Sequence, residues 1–364
     1  MAKRTNEATW IESASRWQIN VQRNGQRKTF TCATPGKKGK IEAERKADKW
    51  LKTLCVDTIT FSAAWEIFMV DKQDTTGTGN CKKLDSLYRI WLKEPLGKKR
   101  LSAITCQDWQ RIVNQAAREG KSRRTCTNIR AAATTFYAFA RKNRWEMEKP
   151  EYIDIPKYAP TGERTILQPN DLRTLFTCDT IIHYGKDEFV YYIYAYRLIV
   201  ILGLRRGELA GIKHTDIENN VLHIRRSVNS LGEITGGKTA NAVRDIYLPH
   251  RALDLLDKQR DLLAAYQIES EYVFPAPDGS VMDTNSLYQH WRAYRRQHGI
   301  QSSLHELRHT MISMMKADMP EQLLKPVVGH GVNMDTFATY GHEVDGDLQR
   351  AAGIIDEVYN KIIG

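Results

Sequence analysis

The stretch 189–209, FVYYIYAYRLIVILGLRRGEL, is the most informative part of this chain of 364 residues for predicting the fold. Its first 16 residues, 189–204, form the most apolar run of the sequence, yet Arg197 interrupts the run and Arg205 and Arg206 follow it. A membrane-spanning helix needs about 20 apolar residues without charges. The run therefore predicts a buried helix of a globular domain, with the motif GLRRGEL at 203–209 directly after it.

Three further motifs follow in the second half of the chain. They are GGKT at 236–239, LHELRHT at 304–310, and VGH at 328–330, with Tyr340 ten residues after His330. Taken singly, such a motif is usually an ordinary turn, helix surface or packing residue, and is functional in about one case in ten or fewer. Their order along one chain is what carries information.

The charge of the chain is unevenly distributed. The net charge is +11, of which residues 1–55 carry +8 and residues 56–160 carry +7, whereas residues 161–364 carry −4. A basic front with a nearly neutral rear indicates that the front binds a polyanion such as nucleic acid. Hydrophobic residues make up 41% and charged residues 27%, which is typical of folded domains and excludes a largely disordered chain.

The cysteines and the N-terminus favour a soluble, reduced, cytoplasmic protein. None of the six cysteines forms a C-x-x-C pair and none lies in the last 186 residues, so neither a zinc ribbon nor a disulfide framework is expected. The first ten residues, MAKRTNEATW, lack the apolar segment of a secretory signal.

We predict an α+β fold whose first part, 1–56, is a small β-sheet backed by a helix. The predicted elements are strands at 17–21 and 29–31 joined by Asn24-Gly25, a basic loop at 35–40 and a helix at 41–54. On the first strand Gln18, Asn20 and Gln22 alternate with apolar residues. They could therefore reach base edges as a β-ribbon in the major groove of DNA.

The sequence of residues 57–150 predicts an all-helical domain. We expect this domain to bind DNA through the basic faces of its helices. Its third helix is expected to begin at Thr105 and its fourth near Ser122. The basic residues expected to bind DNA on this fourth helix are Arg123, Arg124, Arg130, Arg141 and Lys142. Residues 149–165 contain three prolines and no helical period, which predicts a linker at 151–164.

Residues 165–364 predict a mainly helical domain with a small antiparallel sheet. Residues 221–225 and 244–248 are expected to pair as strands, with GGKT in the connection between them. The apolar residues Ile354, Ile355, Val358 and Ile362 are spaced as on one face of a helix. We expect this C-terminal helix to dock on a neighbouring subunit.

In this order, the four motifs resemble those of the tyrosine recombinase (phage integrase) family. The family pattern is G-L-R-x-x-E-L, a lysine in a β-hairpin, H-x-L-R-H-T, L-G-H and a later tyrosine. The match is complete at 203–209 and 305–310, and covers about 165–364 closely. It extends loosely to the two front domains, the first of which resembles the arm-type DNA-binding module of phage or conjugative transposon integrases.

Two positions depart from the family pattern. Val328 stands where the family usually has leucine, and the interval from His330 to Tyr340 is one residue longer than usual. Tyr359 is the other tyrosine near the C-terminus and is therefore the alternative nucleophile.

The resemblance implies a phosphate-binding role for several residues. Arg205 and Arg308 would hold the scissile phosphate, because a guanidinium is always charged and donates to two oxygens at once. His330 would donate to the same oxygens, and Glu208, on the same helix face as Arg205, would hold the cations of the site in place.

The remaining roles concern proton transfer and nucleophilic attack. Tyr340 would attack the phosphorus, and since a phenol has a pKa of about 10 it needs a base or a cationic field near neutral pH. His305 would take its proton, and Lys238 would protonate the departing 5′ oxygen as a general acid. Neither a metal nor another cofactor is implied.

The resemblance also implies the partners. These are double-stranded DNA at core and arm sites, three further copies of the chain in a homo-tetramer on two synapsed sites, and accessory DNA-bending or excision factors. The setting would be a bacterial cell.

Three other functions remain open at this point. Residues 305–309, HELRH, match the H-E-x-x-H zinc-protease signature, for which His330 or His342 would be the third metal ligand. A DNA-binding regulator without catalytic activity would explain the charge but not the ordered motifs. A type IB topoisomerase shares the chemistry, although the N-terminal module and the short chain favour an integrase.

Overall fold

The computed structural model describes residues 6–23, 26–56, 59–162, 165–236, 243–329 and 345–364. The chain divides into two compact units, which we call the front unit, Met1–Gly162, and the rear unit, Glu163–Gly364. The predicted α+β class is confirmed, with helices predominating and small antiparallel sheets. Among the described residues, no helix is both long and apolar enough to cross a membrane.

The front unit begins with a three-stranded antiparallel sheet in the order β1–β2–β3. Its elements are β1 (Thr9–Ile11), β2 (Arg16–Arg23), β3 (Gln26–Cys32) and the helix α1 (Gly36–Val56). Ile19 and Val21 of β2 are buried together with Ala43 and Ala47 of α1, in the core cluster of this part. The period-2 alternation of β2 therefore turns its apolar side towards the helix.

The basic loop predicted at 35–40 is wrong, because α1 already begins at Gly36. The helix can start this early because Gly39 approaches the preceding chain closely. A Cβ atom at Gly39 would lie 1.8 Å from the carbonyl oxygen of Thr34. Lys40 is held in the same turn by an ion pair with Glu7 at 2.6 Å.

A helical bundle follows within the front unit. Its elements are α2 (Phe61–Thr75), α3 (Thr78–Leu87), a π-helical turn (Tyr88–Leu92), α4 (Lys93–Leu96), α5 (Cys106–Arg118) and α6 (Arg123–Lys142). Its core contains stacked and edge-on aromatic rings, among them Trp65 against Phe136 at 5.4 Å. The predicted starts at Thr105 and Ser122 are confirmed, since both side chains cap the first turn of their helices.

Residues 151–160, expected to lie in the linker, pack against this bundle. Ile153 and Ala159 are buried in its core. Gln110 pairs with the backbone of Asp154 at 2.8 and 3.0 Å, and the Arg123 N–H donates to the Pro160 carbonyl at 2.8 Å. The prolines prevent a helix here, but the extended chain still belongs to the packed front unit.

The rear unit begins with α7 (Pro169–Thr177), a hairpin of β4 (Thr180–His183) and β5 (Lys186–Phe189), and α8 (Ile193–Leu202). The helix predicted over 189–204 is therefore too long. Phe189 is the last residue of β5, and the residues between it and Ile193 form a turn. The hairpin turn is formed by Tyr184 and Gly185, both with positive φ. The predicted burial of α8 is confirmed, and Arg197 inside it donates through Nε to the Leu175 carbonyl at 2.7 Å.

The centre of the rear unit combines short strands with one short helix. Its elements are α9 (Arg206–Ala210), β6 (Ile217–Glu218), β7 (Val221–Ile224), β8 (Ser227–Val228), β9 (Ile234–Thr235) and β10 (Arg244–Tyr247). The sheet order is β10–β7–β6, and Arg244 is opposite Ile224 in the antiparallel register. The predicted pairing of these two strands is confirmed.

Helices complete the rear unit. They are α10 (His250–Ala265), α11 (Thr284–Gln297), α12 (Leu304–Met315), α13 (Glu321–Val328) and α14 (Asp347–Ile363). The expected docking of α14 on a neighbouring subunit is wrong for its apolar face. Ile355 and Val358 are buried in the core of their own unit, and Ile354 and Ile362 pack against that core.

Candidate active site

The structure describes some of the predicted catalytic residues and not others. Arg205, Glu208, His305 and Arg308 belong to the described part of the rear unit. Lys238 lies in 237–242, and His330 and Tyr340 lie in 330–344, so these three predictions fall outside the described residues.

Arg205 and Glu208 form the start of α9. Arg205 is the N-cap residue rather than part of the helix, which corrects the expectation that the two share a helix face. The Glu208 carboxylate accepts the Arg205 backbone N–H at 2.9 Å and its Nη1 at 2.5 Å. The local sequence favours this arrangement, because an acidic residue three positions after the N-cap binds the free N–H groups of the first turn.

The sequence analysis missed Arg244, which binds the same carboxylate from β10. Its Nη1 and Nη2 donate to the two oxygens of Glu208 at 3.1 and 3.0 Å. Burial raises the pKa of Glu208, but the hydrogen bonds and charge of Arg244, together with the hydrogen bonds of Arg205, outweigh burial and lower the pKa below its usual value. A signal was present: Arg244 occupies the inward face of an alternating strand, together with Ile246.

Arg308 lies on α12 and is 3% exposed. Its Nη1 donates to the Gly203 carbonyl at 2.6 Å and its Nη2 to the Val328 carbonyl at 2.5 Å. Burial and, to a smaller extent, the charges of Arg205 and Arg244 lower the pKa of Arg308 to about 10, although the charge of Glu208 partly offsets them. The guanidinium therefore remains charged at neutral pH.

The three arginines meet at the C-terminal end of α13. Arg244 donates through Nε to the carbonyl of Val327 at 2.8 Å, Arg308 to that of Val328, and Arg205 through Nη2 to that of Gly329 at 3.0 Å. The last carbonyls of a helix have no partner within it and form the negative end of its dipole. These contacts therefore fix the end of the helix that directly precedes His330 in sequence.

Gly203 and Gly329 allow the close approach of these elements. Both have positive φ and end a helix in the left-handed conformation. A Cβ atom at Gly203 would lie 3.1 Å from a methyl carbon of Val328 and 3.2 Å from the sulfur of Met311. We call Arg205, Glu208, Arg244 and Arg308 the arginine cluster; it has three positive charges and one negative charge.

Glu306 has a structural role that weakens the metallopeptidase hypothesis. Its carboxylate accepts the backbone N–H of Ser303, at the start of α12, and that of Thr165 at 3.2 Å. Burial raises the pKa of Glu306, but these backbone hydrogen bonds lower the net value below normal. Within the described ranges, no group of three or more His, Cys, Asp or Glu side chains is placed to hold a metal ion.

His305 lies in the first turn of α12, and its side chain is exposed. Its ring is 4.9 Å from that of His309, in an edge-on arrangement. Its exposure contrasts with the burial of Arg244 and Arg308.

Tyr359, the alternative nucleophile, lies on α14 and is fully buried. Its hydroxyl donates to the Val200 carbonyl at 2.7 Å, and burial raises its pKa far above the usual value. A nucleophile needs an accessible oxygen that can lose its proton, and Tyr359 has neither property.

The five basic residues predicted on α6 are all exposed. Nη1 of Arg123 and of Arg130 lies 3.4 Å from the carbonyls of Pro156 and Ile153 respectively, and Lys142 is 3.6 Å from Asp71. Most of their donor capacity thus faces solvent.

The predicted β-ribbon residues lie on one face of the N-terminal sheet. Gln18, Asn20 and Gln22 are opposite Thr31, Thr29 and Arg27 of β3, so the face consists of polar cross-strand pairs. Asn20 is partly engaged, because its side-chain oxygen accepts the hydroxyl of Thr29 at 2.6 Å.

Comparisons with known proteins point to one group. Residues 166–346 match the family model described as the phage integrase family. The protein named "Tyrosine recombinase XerC-like" from Caldanaerobacter subterraneus subsp. tengcongensis is 21% identical over 407 residues, covering 99% of this chain and 100% of that protein.

Solved structures of two integrases share the fold. The Tn1549 transposon integrase in complex with transposon right end DNA has a TM-score of 0.62 at 18% identity, covering 80% of this chain and 98% of its own. A lambda integrase tetramer bound to a Holliday junction has a TM-score of 0.63 at 14% identity, covering 92% and 98%. Since the sequence of residues 166–346 and the fold lead to the same group, this chain belongs to the phage integrase family and is a tyrosine recombinase of the integrase type.

Proposed function

We propose that this protein is a site-specific DNA recombinase that integrates a mobile element or phage genome through a covalent 3′-phosphotyrosine intermediate. The observation that carries the proposal is the arginine cluster. In it, Arg205 and Arg308 lie beside the same helix end, with more positive than negative charge around them. A phosphodiester under attack is a negatively charged, crowded centre, and such a cluster matches it.

The arginines would stabilise the transition state more than the bound DNA. Charge on the non-bridging oxygens grows as the attacking oxygen approaches, and donors already fixed in place need no reorganisation. Arg205 is the accessible member, since its side chain is 40% exposed, and its Glu208 and Gly329 contacts set its direction. His330, which follows Gly329 in sequence, would add a further donor.

Tyr340 would be the nucleophile. Its phenolic oxygen forms a bond to phosphorus while the bond from phosphorus to the 5′ oxygen breaks. His305 would take the phenolic proton, and Lys238 would give a proton to the departing 5′ oxygen. One phosphoester bond replaces another, so rejoining by a new 5′-hydroxyl needs neither ATP nor a metal ion. The burial of Tyr359 supports this assignment.

The front unit would supply most of the affinity for DNA. The exposed basic face of α6 would lie against the phosphates of the core site, as part of a C-shaped clamp around the duplex. The polar face of the N-terminal sheet would read a separate arm site. By analogy with the lambda integrase tetramer, four copies would act on two synapsed sites in the cytoplasm of a bacterial cell.

The test is formation of the covalent adduct on a nicked duplex that traps it, built from the DNA that flanks the gene. Wild-type protein and Tyr359→Phe should both form the adduct in excess EDTA. Tyr340→Phe should bind the same duplex but form none. Tyr359→Phe is the matched control, because it removes one hydroxyl from the other tyrosine of the C-terminal region.

Two results would contradict the proposal. If Tyr340→Phe still forms the adduct and Tyr359→Phe does not, the nucleophile is wrong. If activity depends on a stoichiometric, tightly bound zinc ion and is abolished by EDTA, the recombinase assignment itself fails. The H-E-x-x-H motif would then indicate a zinc protease.

A further inference from the structure

The Glu208 carboxylate has all of its hydrogen-bonding positions filled by two arginines. Oε1 accepts Nη1 of Arg205 at 2.5 Å and Nη1 of Arg244 at 3.1 Å, and Oε2 accepts the Arg205 backbone N–H at 2.9 Å and Nη2 of Arg244 at 3.0 Å. A carboxylate offers about four acceptor positions. Arg244 therefore donates two of these four hydrogen bonds that orient the Glu208 carboxylate.

These contacts close a ring around Arg205. Arg205 binds Glu208, Glu208 binds Arg244, and Arg244 binds the Val327 carbonyl at the end of α13. The ring returns to Arg205 through the Gly329 carbonyl. Each guanidinium is thus held at two separate points, so a rotation of Arg205 would break contacts on both sides.

Arg244 itself is poorly suited to touch the DNA. Its side chain is 6% exposed, and its Nε, Nη1 and Nη2 atoms all donate to groups of the protein. Arg205 is 40% exposed and close to the same carboxylate. Arg205 is therefore the arginine that faces outward, and Arg244 is the one that holds Arg205 in place.

We propose that Arg244 is a positioning residue of the recombination reaction, which aims Arg205 at the scissile phosphate through Glu208 and through the Val327 carbonyl. This inference rests on the proposed function. A fixed donor stabilises the transition state only in the correct direction, and small misplacements of such groups cost about 10- to 100-fold in rate.

The test compares Arg244→Met with Arg197→Met in the full-length chain. Arg197 is a matched control, since it is 3% exposed, donates through Nε to a backbone carbonyl and pairs with the carboxylate of Asp179, but lies outside the cluster. Three quantities are measured: the Kd for the core duplex, the thermal unfolding midpoint, and the single-turnover rate of adduct formation at saturating DNA. The rate is measured for an ordinary phosphodiester and for a neutral methylphosphonate at the scissile position.

We expect Arg244→Met to lower the phosphodiester rate about 10- to 100-fold while the Kd stays within about threefold. On the methylphosphonate, which lacks the negative charge that Arg205 would hold, the loss should be at most about threefold. Arg197→Met should lower the unfolding midpoint and change both rates by the same factor. Equal losses on both substrates for Arg244→Met would mean a merely structural role and would overturn the inference.

Arg244→Lys keeps the charge but cannot donate to both carboxylate oxygens and to Val327 in the same geometry. This variant guards against unfolding of Arg244→Met. It should fold and lose at least about tenfold in phosphodiester rate. A wild-type rate would overturn the inference, whereas a wild-type protein that forms no adduct at all would instead refute the proposed function.

Discussion

Arginines occur in two contrasting settings in the two units. On α6 of the front unit, Arg123 and Arg130 make contacts of 3.4 Å to carbonyls and are otherwise exposed. In the rear unit, Arg244 and Arg308 are buried, and each donates at 3.1 Å or less to two or more groups. The same type of side chain is an exposed charge in one place and a fixed donor in the other.

The difference separates affinity from catalysis. Exposed charges attract DNA, and salt screens this attraction. The affinity also falls as salt rises, because binding releases counterions from the phosphates. Fixed donors in a buried site act on charge that appears during the reaction, and salt screens them far less. We therefore expect substitutions in the two units to change different measured quantities.

The largest effect should follow from Arg205→Ala. Removal of one donor to a developing oxyanion costs about 10²- to 10³-fold in rate, so the single-turnover rate of adduct formation should fall by that factor. The Kd for the core duplex should stay within about threefold. Arg206→Ala is the matched control, since Arg206 is the exposed neighbour on α9, and its rate should remain normal. A large loss for both variants would remove the distinction between fixed and exposed arginines.

A smaller effect, on affinity, should follow from the double substitution Arg124→Ala and Arg141→Ala on α6. If each side chain contacts one phosphate, the slope of log K against log salt should become less steep by about 1.8, and the affinity near physiological salt should fall about tenfold. The rate at saturating DNA should not change. Arg260→Ala, an exposed arginine of α10 that pairs with Asp257, serves as the control. An unchanged slope would show that α6 does not lie on the phosphates.

The smallest effect should be on sequence preference in the N-terminal sheet. Gln18→Ala combined with Gln22→Ala should reduce the preference for an arm duplex over a random duplex about fivefold, the lower end of what a base contact contributes. Competition binding measures the ratio. Lys28→Ala is the control from the same sheet, because Lys28 lies over the rings of Phe30 and Trp50 at 5.6 and 6.0 Å and shares their face. An equal loss of preference in the control would refute the β-ribbon hypothesis.

Features set by neighbouring residues were predictable from the sequence. The helix starts at Thr105 and Ser122 follow from capping side chains, and the face of β2 follows from alternation. The α+β class and the pairing of β7 with β10 follow from the same local patterns. The order of the motifs also identified Arg205, Glu208 and Arg308, which the fold brings into one cluster.

Features set by distant contacts were not predictable in this way. The early start of α1 depends on the approach of Gly39 to Thr34, which no periodicity signals. The packing of 151–160 depends on Gln110, more than 40 residues away in sequence. Arg244 escaped notice because its partner Glu208 is 36 residues away in sequence, and its place on the inward face of β10 beside Ile246 was the one local signal.

The position of Arg197 also has a consequence for the synthesis of the chain. On the ribosome, residues 189–204 emerge as a strongly apolar segment before α10 and α12, which pack against α8, have been synthesised. A central arginine disfavours insertion of a helix by the translocon by about 2.5–3.5 kcal/mol, so the segment is a poor substrate for the membrane machinery. Once α7 and α8 pack together, the same guanidinium binds the Leu175 carbonyl and Asp179. The Arg197 side chain thus first disfavours membrane insertion of the nascent segment and later binds a carbonyl near the C-terminal end of α7.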